Sequence, residues 1–296
     1  CNAARRMVDD SPPPTTSPRR DGTLTAGHNL RTGTSCFTAD FSCCHGTLTL
    51  LVVACGQANA PAQRCVILYL HNASLRGGQV ERLRDLPVVR CATSAEAAIL
   101  PCVLLIPLCP LRTEWSKLPM LTLLETFLAA LTDGWLEQSH ASSLNYNIES
   151  KRVLVMGHSM GGRGAWTLAA RAPSRVAAVV SVAGGGNPML APLLVPRPPV
   201  WLFHASSDVM VPIRESERLF ERLRDAGASP RFTRLDRQLG HDCEAAALGE
   251  AALWAWLRRC VFDAEAHAPD AIARETTPDC QIGAGQGGTQ GLRSTV

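Results

Sequence analysis

The sequence predicts an α/β fold with a mostly parallel central sheet and helices on both faces. Two observations support this fold class. Short runs that are apolar on both faces alternate along the chain with stretches of helical periodicity, as in parallel sheets covered by helices. The composition, with 46% hydrophobic and 19% charged residues in 296, also suffices for one large core. We therefore expect a single domain over residues 31–263.

Six apolar runs are predicted to be buried strands because they are short and lack an exposed polar face. They cover residues 47–54, 65–70, 98–107, 151–157, 177–183 and 199–204, and a seventh strand-like run covers 231–237.

Four helices are predicted between these strands. The first is indicated by leucines at 121, 124, 128 and 131, a helical spacing that follows Pro119 in the first turn. The others cover residues 161–171, 214–225 and 244–258. Residues 1–30 and 264–296 are rich in Pro, Ser, Thr or Gly and poor in large apolar groups, so we expect disordered tails there.

Charge and cysteine content exclude several classes of function. The net charge of +3 comes from basic residues spread along the chain, which does not indicate nucleic-acid binding. No apolar run has the length of about 18–20 residues that a membrane span requires. The 12 cysteines mostly lie in apolar runs without C-x-x-C pairs, which favours buried thiols over disulfides or zinc ligands and favours the cytoplasm. The sequence does not define an oligomeric state.

The segment Gly157-His158-Ser159-Met160-Gly161 matches G-x-S-x-G and lies between a predicted strand and a predicted helix. This order is typical of a nucleophile elbow, where small residues allow the strand and helix backbones to approach closely. We predict Ser159 as the nucleophile and the Met160 N–H as a donor to an oxyanion. A turn without catalytic function would tolerate the same glycines, so the motif alone leaves both interpretations open.

A serine nucleophile needs a histidine base and an acid, which follow it in the chain order Ser, Asp, His. Asp208 follows a predicted strand, and His241 precedes the last predicted helix, so these two are the predicted acid and base. Asp236, inside a predicted strand, and Asp242, a predicted helix cap, are the weaker acids. Among the other histidines, His71 and His204 end strands and are expected to be structural, and His158 is expected to line or underlie the pocket.

Five stretches, VILYLHNASLRGG, IPLCPLRTEW, VLVMGHSMGGRG, FHASSDVMVP and LGHDC, resemble motifs of one family in the same order. The chain resembles α/β-hydrolases of the phospholipase/carboxylesterase/thioesterase type from about residue 65 to residue 257, especially esterases similar to polyhydroxybutyrate depolymerases and predicted peptidases. The resemblance implies an α/β-hydrolase fold and Ser159, His241 and Asp208 as nucleophile, base and acid. It also implies oxyanion donors at Met160 and Ala73, a small acyl ester or thioester substrate, and no cofactor or metal.

The sequence departs from the family where H-G-x-G is replaced by His71-Asn72-Ala73-Ser74. If the first glycine is needed for a left-handed backbone, Asn is the residue that replaces it at least cost. If the loop shifts instead, the loss of one oxyanion donor slows the reaction by about 10²–10³. We therefore expect a serine hydrolase that forms an acyl-enzyme on Ser159. The alternatives are a catalytically weak or silent binding protein and an acyltransferase with the same triad.

Overall fold

The computed structural model describes residues 24–30, 34–55, 63–94, 99–138 and 148–263. Within these ranges, nine strands form one sheet in the order β1-β2-β3-β5-β4-β6-β7-β8-β9. The strands are β1 (Leu24–Leu30), β2 (Thr34–Cys43), β3 (Gly46–Cys55), β4 (Arg64–Leu70), β5 (Cys102–Pro107), β6 (Ile148–His158), β7 (Val176–Val182), β8 (Val200–Ala205) and β9 (Arg231–Leu235).

The sheet is parallel from β5 to β9 and antiparallel from β1 to β3, with β3 running antiparallel to β5. A turn of only two residues joins β2 to β3, which permits only antiparallel pairing. The parallel strands need longer crossovers, which the helices supply. Every residue of β4, β7 and β8 is buried, as expected for strands covered on both faces.

Six helices with bounds inside the described ranges cover the two faces of the sheet, and residues 135–138 are also helical. They are α1 (Pro87–Ala92), α2 (Leu118–Thr132), α3 (Met160–Arg171), α4 (Arg214–Asp225), α5 (Glu244–Leu248) and α6 (Ala251–Phe262). Helices α2, α3 and α4 contribute apolar side chains to the core on one face. Helices α1, α5 and α6 contribute to a second core on the other face. The predicted fold class, a mostly parallel sheet with helices on both faces, is confirmed.

The predicted strands and helices are recovered, with bounds that shift by up to four residues. The run 98–107 becomes strand only from Cys102, and the run 231–237 ends as a strand at Leu235 because Arg237 opens a short 3₁₀ turn. The single helix predicted over 244–258 is wrong. The chain instead forms α5 and α6, because Gly249 ends the first and Glu250 adopts an extended backbone, with φ −67° and ψ 111°.

The predicted N-terminal tail, residues 1–30, is wrong over its last part, since Leu24–Leu30 is strand β1 and pairs antiparallel with β2. An edge strand can be held by backbone pairing to its neighbour, so it needs no long apolar run to mark it in the sequence. Residues 1–23 and the predicted C-terminal tail, 264–296, lie outside the described residues. In the ranges that are described, no helix is both long and apolar enough to cross a membrane.

Candidate active site

Ser159 lies on the sharp turn between β6 and α3. Its backbone has φ 56° and ψ −117°, a positive φ that non-glycine residues rarely adopt. Such a conformation costs about 1–3 kcal/mol and persists only where surrounding contacts impose it. Here the Ser159 N–H donates to the Val182 carbonyl at the end of β7, at 2.8 Å. The turn thus presents the Ser159 side chain at the carboxyl edge of the sheet.

Gly157 and Gly161 allow this turn because their backbones approach neighbours too closely for any side chain. A Cβ on Gly157 would lie 2.4 Å from the carbonyl carbon of Gly161. A Cβ on Gly161 would lie 1.7 Å from the Leu70 carbonyl oxygen, at the end of β4. The small residues predicted at these positions are therefore required, and they bring the start of α3 against the loop that follows β4.

The structure brings Ser159, His241 and Asp208 together in one hydrogen-bonded chain. The Ser159 Oγ lies 2.8 Å from His241 Nε2, and His241 Nδ1 lies 2.7 Å from Asp208 Oδ2. A carboxylate only accepts hydrogen bonds, so Nδ1 carries a proton and donates it to Asp208. In the neutral ring Nε2 then has a free lone pair that accepts the Ser159 hydroxyl proton. The His241 side chain is 17% exposed, so a small molecule can reach the pair formed by Ser159 and His241.

Asp208 lies just after β8 and is held from two sides. Its Oδ1 accepts the backbone N–H groups of Met210 and Val211, both at 2.9 Å, while its Oδ2 faces His241. Burial raises the pKa of this carboxyl. The hydrogen bonds from His241, Val211 and Met210 outweigh burial and leave the pKa of Asp208 below its ordinary value. Asp208 is therefore ionised at neutral pH.

His204, predicted to be structural, is buried and supports Asp208. Its Nε2 lies 2.8 Å from the Val211 carbonyl oxygen and 3.2 Å from Asp208 Oδ2, so Nε2 carries the proton. Its Nδ1 faces the Ser216 Oγ at 2.7 Å. Burial is the largest influence on His204 and lowers its pKa. A neutral His204 thus supplies a further donor beside Asp208.

The two predicted oxyanion donors, Met160 and Ala73, lie on segments that meet at the elbow. Met160 is the first residue of α3, and Ala73 is the first residue of the 3₁₀ turn Ala73–Leu75. N–H groups at such positions have no carbonyl partner within their own helix and are available to a ligand. The contact of Gly161 with the Leu70 carbonyl places these two segments side by side.

Asn72 does not adopt the left-handed backbone considered for it from the sequence. Its φ is −71° and its ψ is 176°, an extended conformation open to any residue. Its Oδ1 accepts hydrogen bonds from the Ser74 N–H at 3.1 Å and from the Ser74 hydroxyl at 2.6 Å. Asn72 and Ser74, which stand where the sequence departs from H-G-x-G, therefore bind each other and fix the loop that carries Ala73.

His71 holds the same loop from beneath. It is fully buried, its Nε2 accepts the Cys109 N–H at 3.0 Å, and its Nδ1 lies 2.7 Å from the Asn72 carbonyl oxygen. The Trp115 indole N–H donates to the His71 carbonyl at 2.8 Å. Burial lowers the pKa of His71 to about 4, so the ring is neutral at physiological pH.

Sequence reasoning missed a buried polar group beside the triad. The Glu244 carboxylate lies 3.2 Å from His158 Nδ1 through Oε2 and accepts the Tyr69 hydroxyl at 2.6 Å through Oε1. Tyr69 and Glu244 are 175 residues apart, and no motif links them. A pocket of about 310 Å³ adjoins this group and is lined by Asn72, Ser74, Leu75, Arg82, Asp85, Leu86, Pro87, His158, Asp242, Glu244 and Ala245.

The two weaker acids from the sequence lie elsewhere. Asp236 accepts the Gln238 N–H at 2.9 Å and begins the short turn after β9, so it is not inside the strand as predicted. Asp242 is exposed and precedes Cys243, which occupies the N-cap position of α5 without a side-chain capping bond, so the predicted capping role of Asp242 is wrong. In the described ranges, no cluster of three or more His, Cys, Asp or Glu side chains has the geometry to hold a metal ion.

Comparisons with known proteins support the fold described above. A family model described as the alpha/beta hydrolase fold matches residues 146–211, which include the elbow and Asp208. Comparison with curated proteins finds no significant match. Among solved structures, a thermostable esterase has a TM-score of 0.60 and 22% identity, with 75% of this chain and 62% of that chain covered.

Two further structures are similar over most of their length. The S-formylglutathione hydrolase of Agrobacterium tumefaciens has a TM-score of 0.59 and 15% identity, with 80% of this chain and 99% of that chain covered. A ferulic acid esterase has a TM-score of 0.53 and 16% identity, with 78% and 98% covered. At these identities the likeness establishes the arrangement of the chain. The family match at the elbow and the structural likeness together show that this chain has the α/β-hydrolase fold.

Proposed function

We propose that the protein is a serine hydrolase that cleaves a carboxylic ester or thioester through an acyl-enzyme on Ser159. The observation that carries this proposal is the continuous hydrogen-bonded chain from the Ser159 Oγ through both ring nitrogens of His241 to Asp208. A serine hydroxyl becomes a useful nucleophile only when a base can take its proton, and this chain supplies one.

In the first step, His241 Nε2 takes the Ser159 proton while Oγ attacks the carbonyl carbon. The tetrahedral intermediate collapses, and His241 gives its proton to the leaving alcohol or thiol. Water then attacks the acyl-enzyme, with its proton passing to His241 and returning to Ser159 as the acid leaves. Asp208 stays ionised throughout, keeps the proton on Nδ1 and stabilises the positive ring. Proton transfer of this kind contributes about 10²–10⁴ in rate.

The negative oxygen of the tetrahedral intermediate needs donors that are already in place. The N–H groups of Met160 and Ala73 are our proposed pair, because they lie on the two segments joined at Gly161. Met160 also opens a helix of 12 residues, whose N-terminal polarity favours a developing negative charge. Each such donor contributes about 10²–10³ in kcat.

Esters are favoured as substrates because two of the structures with similar folds are named as esterases. The hydrogen bonds of Asn72 argue against a binding-only protein, since this residue orders the loop that carries Ala73 without backbone strain. Transfer of the acyl group to an alcohol uses the same three residues, and product analysis with competing alcohols separates transfer from hydrolysis.

The proposal is tested by labelling the purified protein with a fluorophosphonate, mapping the adduct by mass spectrometry, and measuring p-nitrophenyl ester turnover with short and long acyl chains. We expect one adduct, on Ser159, that is lost in Ser159→Ala and strongly reduced in His241→Ala. Asp208→Asn should lower kcat by about 10⁴ because the imidazole tautomer is no longer fixed. Ser174→Ala, which removes an exposed hydroxyl, is the matched control. A folded wild-type protein without label or turnover would refute the proposal.

A further inference from the structure

We propose that His158 is a positioning residue that holds the backbone segment of His241 against Ser159, with Glu244 and Tyr69 fixing the orientation of its ring. This role rests on the proposed function, because it concerns the alignment of the same nucleophile and base. It is distinct from the structural or pocket-lining role expected for His158 from the sequence.

The contact that carries the proposal joins the two halves of the site through a backbone atom. His158 immediately precedes Ser159, and its Nε2 lies 3.0 Å from the backbone carbonyl oxygen of His241. A carbonyl oxygen only accepts, so Nε2 carries a proton and donates it. The two histidine rings lie 5.2 Å apart between centroids, at 37°. The elbow and the His241 segment, 82 residues apart between Ser159 and His241, are thus linked by a second hydrogen bond besides that between their side chains.

The Nδ1 edge of the His158 ring contacts a buried chain of polar groups. Its Nδ1 lies 3.2 Å from Glu244 Oε2 and 3.4 Å from the Asn72 amide nitrogen. The side chains of His158 and Glu244 are only 3% and 7% exposed. Burial, and then the nearby Glu244, raise the pKa of Tyr69, so its hydroxyl remains protonated and donates to Glu244 Oε1. Glu244 and Asn72 thus lie on the Nδ1 edge of the ring, which leaves Nε2 facing the His241 carbonyl.

The His241 segment depends on such a contact because it lies between regular elements. A short 3₁₀ turn ends at Leu239, Gly240 has a positive φ of 53°, and α5 begins only at Glu244. The His158 hydrogen bond fixes the peptide group that follows His241. It thereby fixes the Cα atom from which the His241 side chain extends. A displacement of about 1 Å between reacting groups can slow catalysis by about 10²-fold.

Two amide variants of different length separate this role from simple packing. In His158→Gln the side-chain amide reaches the position of Nε2 and can still donate to the His241 carbonyl. In His158→Asn the amide reaches only the position of Nδ1, so it can face Glu244 but not the His241 carbonyl. Both variants remove the ring and are uncharged and polar. Their melting temperatures show whether they are equally well folded.

We expect His158→Gln to keep kcat for p-nitrophenyl esters within about fivefold of wild type, and His158→Asn to lose about 10²-fold, with KM unchanged in both. The rate of fluorophosphonate labelling should fall in parallel. Equal losses in the two variants at equal stability, or full activity in His158→Asn, would overturn the proposal. Glu244→Gln should behave like His158→Gln, since a Gln at 244 can still hold the ring.

A second readout does not depend on turnover. In ¹⁵N-labelled protein, the His241 Nδ1 proton shared with Asp208 should give a downfield resonance in wild type and in His158→Gln. In His158→Asn this resonance should broaden or disappear because the ring is less well held. Its persistence in His158→Asn would overturn the positioning role. Absence of turnover in wild type with the resonance present would instead refute the proposed function.

Discussion

Buried His71 should make the protein lose stability between neutral pH and pH 4. In the neutral ring both nitrogens are used, since Nε2 accepts the Cys109 N–H and Nδ1 donates to the Asn72 carbonyl. A second proton on Nε2 would replace the first of these bonds with a clash of two donors and would place a charge in the core. Burial disfavours the charged ring and lowers the pKa of His71 from 6.5 to about 4.

The size of the effect follows from the two pKa values. In the unfolded chain His71 takes up its proton near pH 6.5, whereas in the native protein it does so only near pH 4. Between these values the unfolded state binds more protons, so stability falls as pH falls. The pKa values of His71 in the unfolded and native states, 6.5 and about 4, differ by about 2.5. At 1.36 kcal/mol for each pKa unit, this difference amounts to about 3 kcal/mol. This contribution is complete above pH 6.5 and is lost by about pH 4.

The assay is urea unfolding at pH steps from 7.5 to 4 for wild type and His71→Gln. A Gln at 71 can accept the Cys109 N–H but does not titrate, so the variant should lose about 3 kcal/mol less than wild type over this range. Other buried groups, including His204, contribute to both curves and cancel in the difference. His45→Gln, at an exposed position between β2 and β3, is the control and should follow wild type. Parallel curves for wild type and His71→Gln would refute the reasoning.

Two further predictions concern the turn at Ser159 and the loop that carries Ala73. Gly161→Ala should lower stability by about 1–3 kcal/mol and slow ester turnover by about 10²-fold, because the new Cβ would lie 1.7 Å from the Leu70 carbonyl oxygen. Thermal melts and kcat values check this against Gly249→Ala, whose nearest contact would be 3.1 Å, and equal effects would contradict it. Asn72→Gly should reduce kcat/KM and lower stability by about 1–2 kcal/mol, because the loop loses the bond to the Ser74 N–H. An increase in kcat/KM would show that Asn72 impairs the site.

The sequence was sufficient for those parts of the fold that depend on local patterns. The buried strands are recognisable because each is a short run with no polar face, and α4 was predicted with its observed bounds, Arg214–Asp225. The elbow was predictable because G-x-S-x-G places two glycines where backbones must touch. Asp208 and His241 followed from their positions after predicted strands, because carboxyl ends of parallel strands meet at one edge of the sheet.

Not every feature missing from the prediction lacks a local signal. In strand β2, Phe37, Ala39 and Phe41 are buried and alternate with polar residues, a pattern typical of a strand with one buried face. By contrast, nothing near Asn72 in the sequence reveals that its backbone is extended. Tyr69 and Glu244 are likewise unremarkable until the fold places their side chains in contact.

The geometry of the site is held mainly through backbone atoms. The strained Ser159 is fixed by its own N–H to the Val182 carbonyl, and Asp208 is fixed by two backbone N–H groups. The backbone carbonyl oxygen of His241 accepts a hydrogen bond from the ring of His158. The hydrogen bonds within the triad therefore join side chains whose backbone positions are fixed by contacts outside the triad. It follows that substitutions in these supporting contacts should alter kcat while the three reacting side chains are unchanged, and His158 is where this separation can be measured most directly.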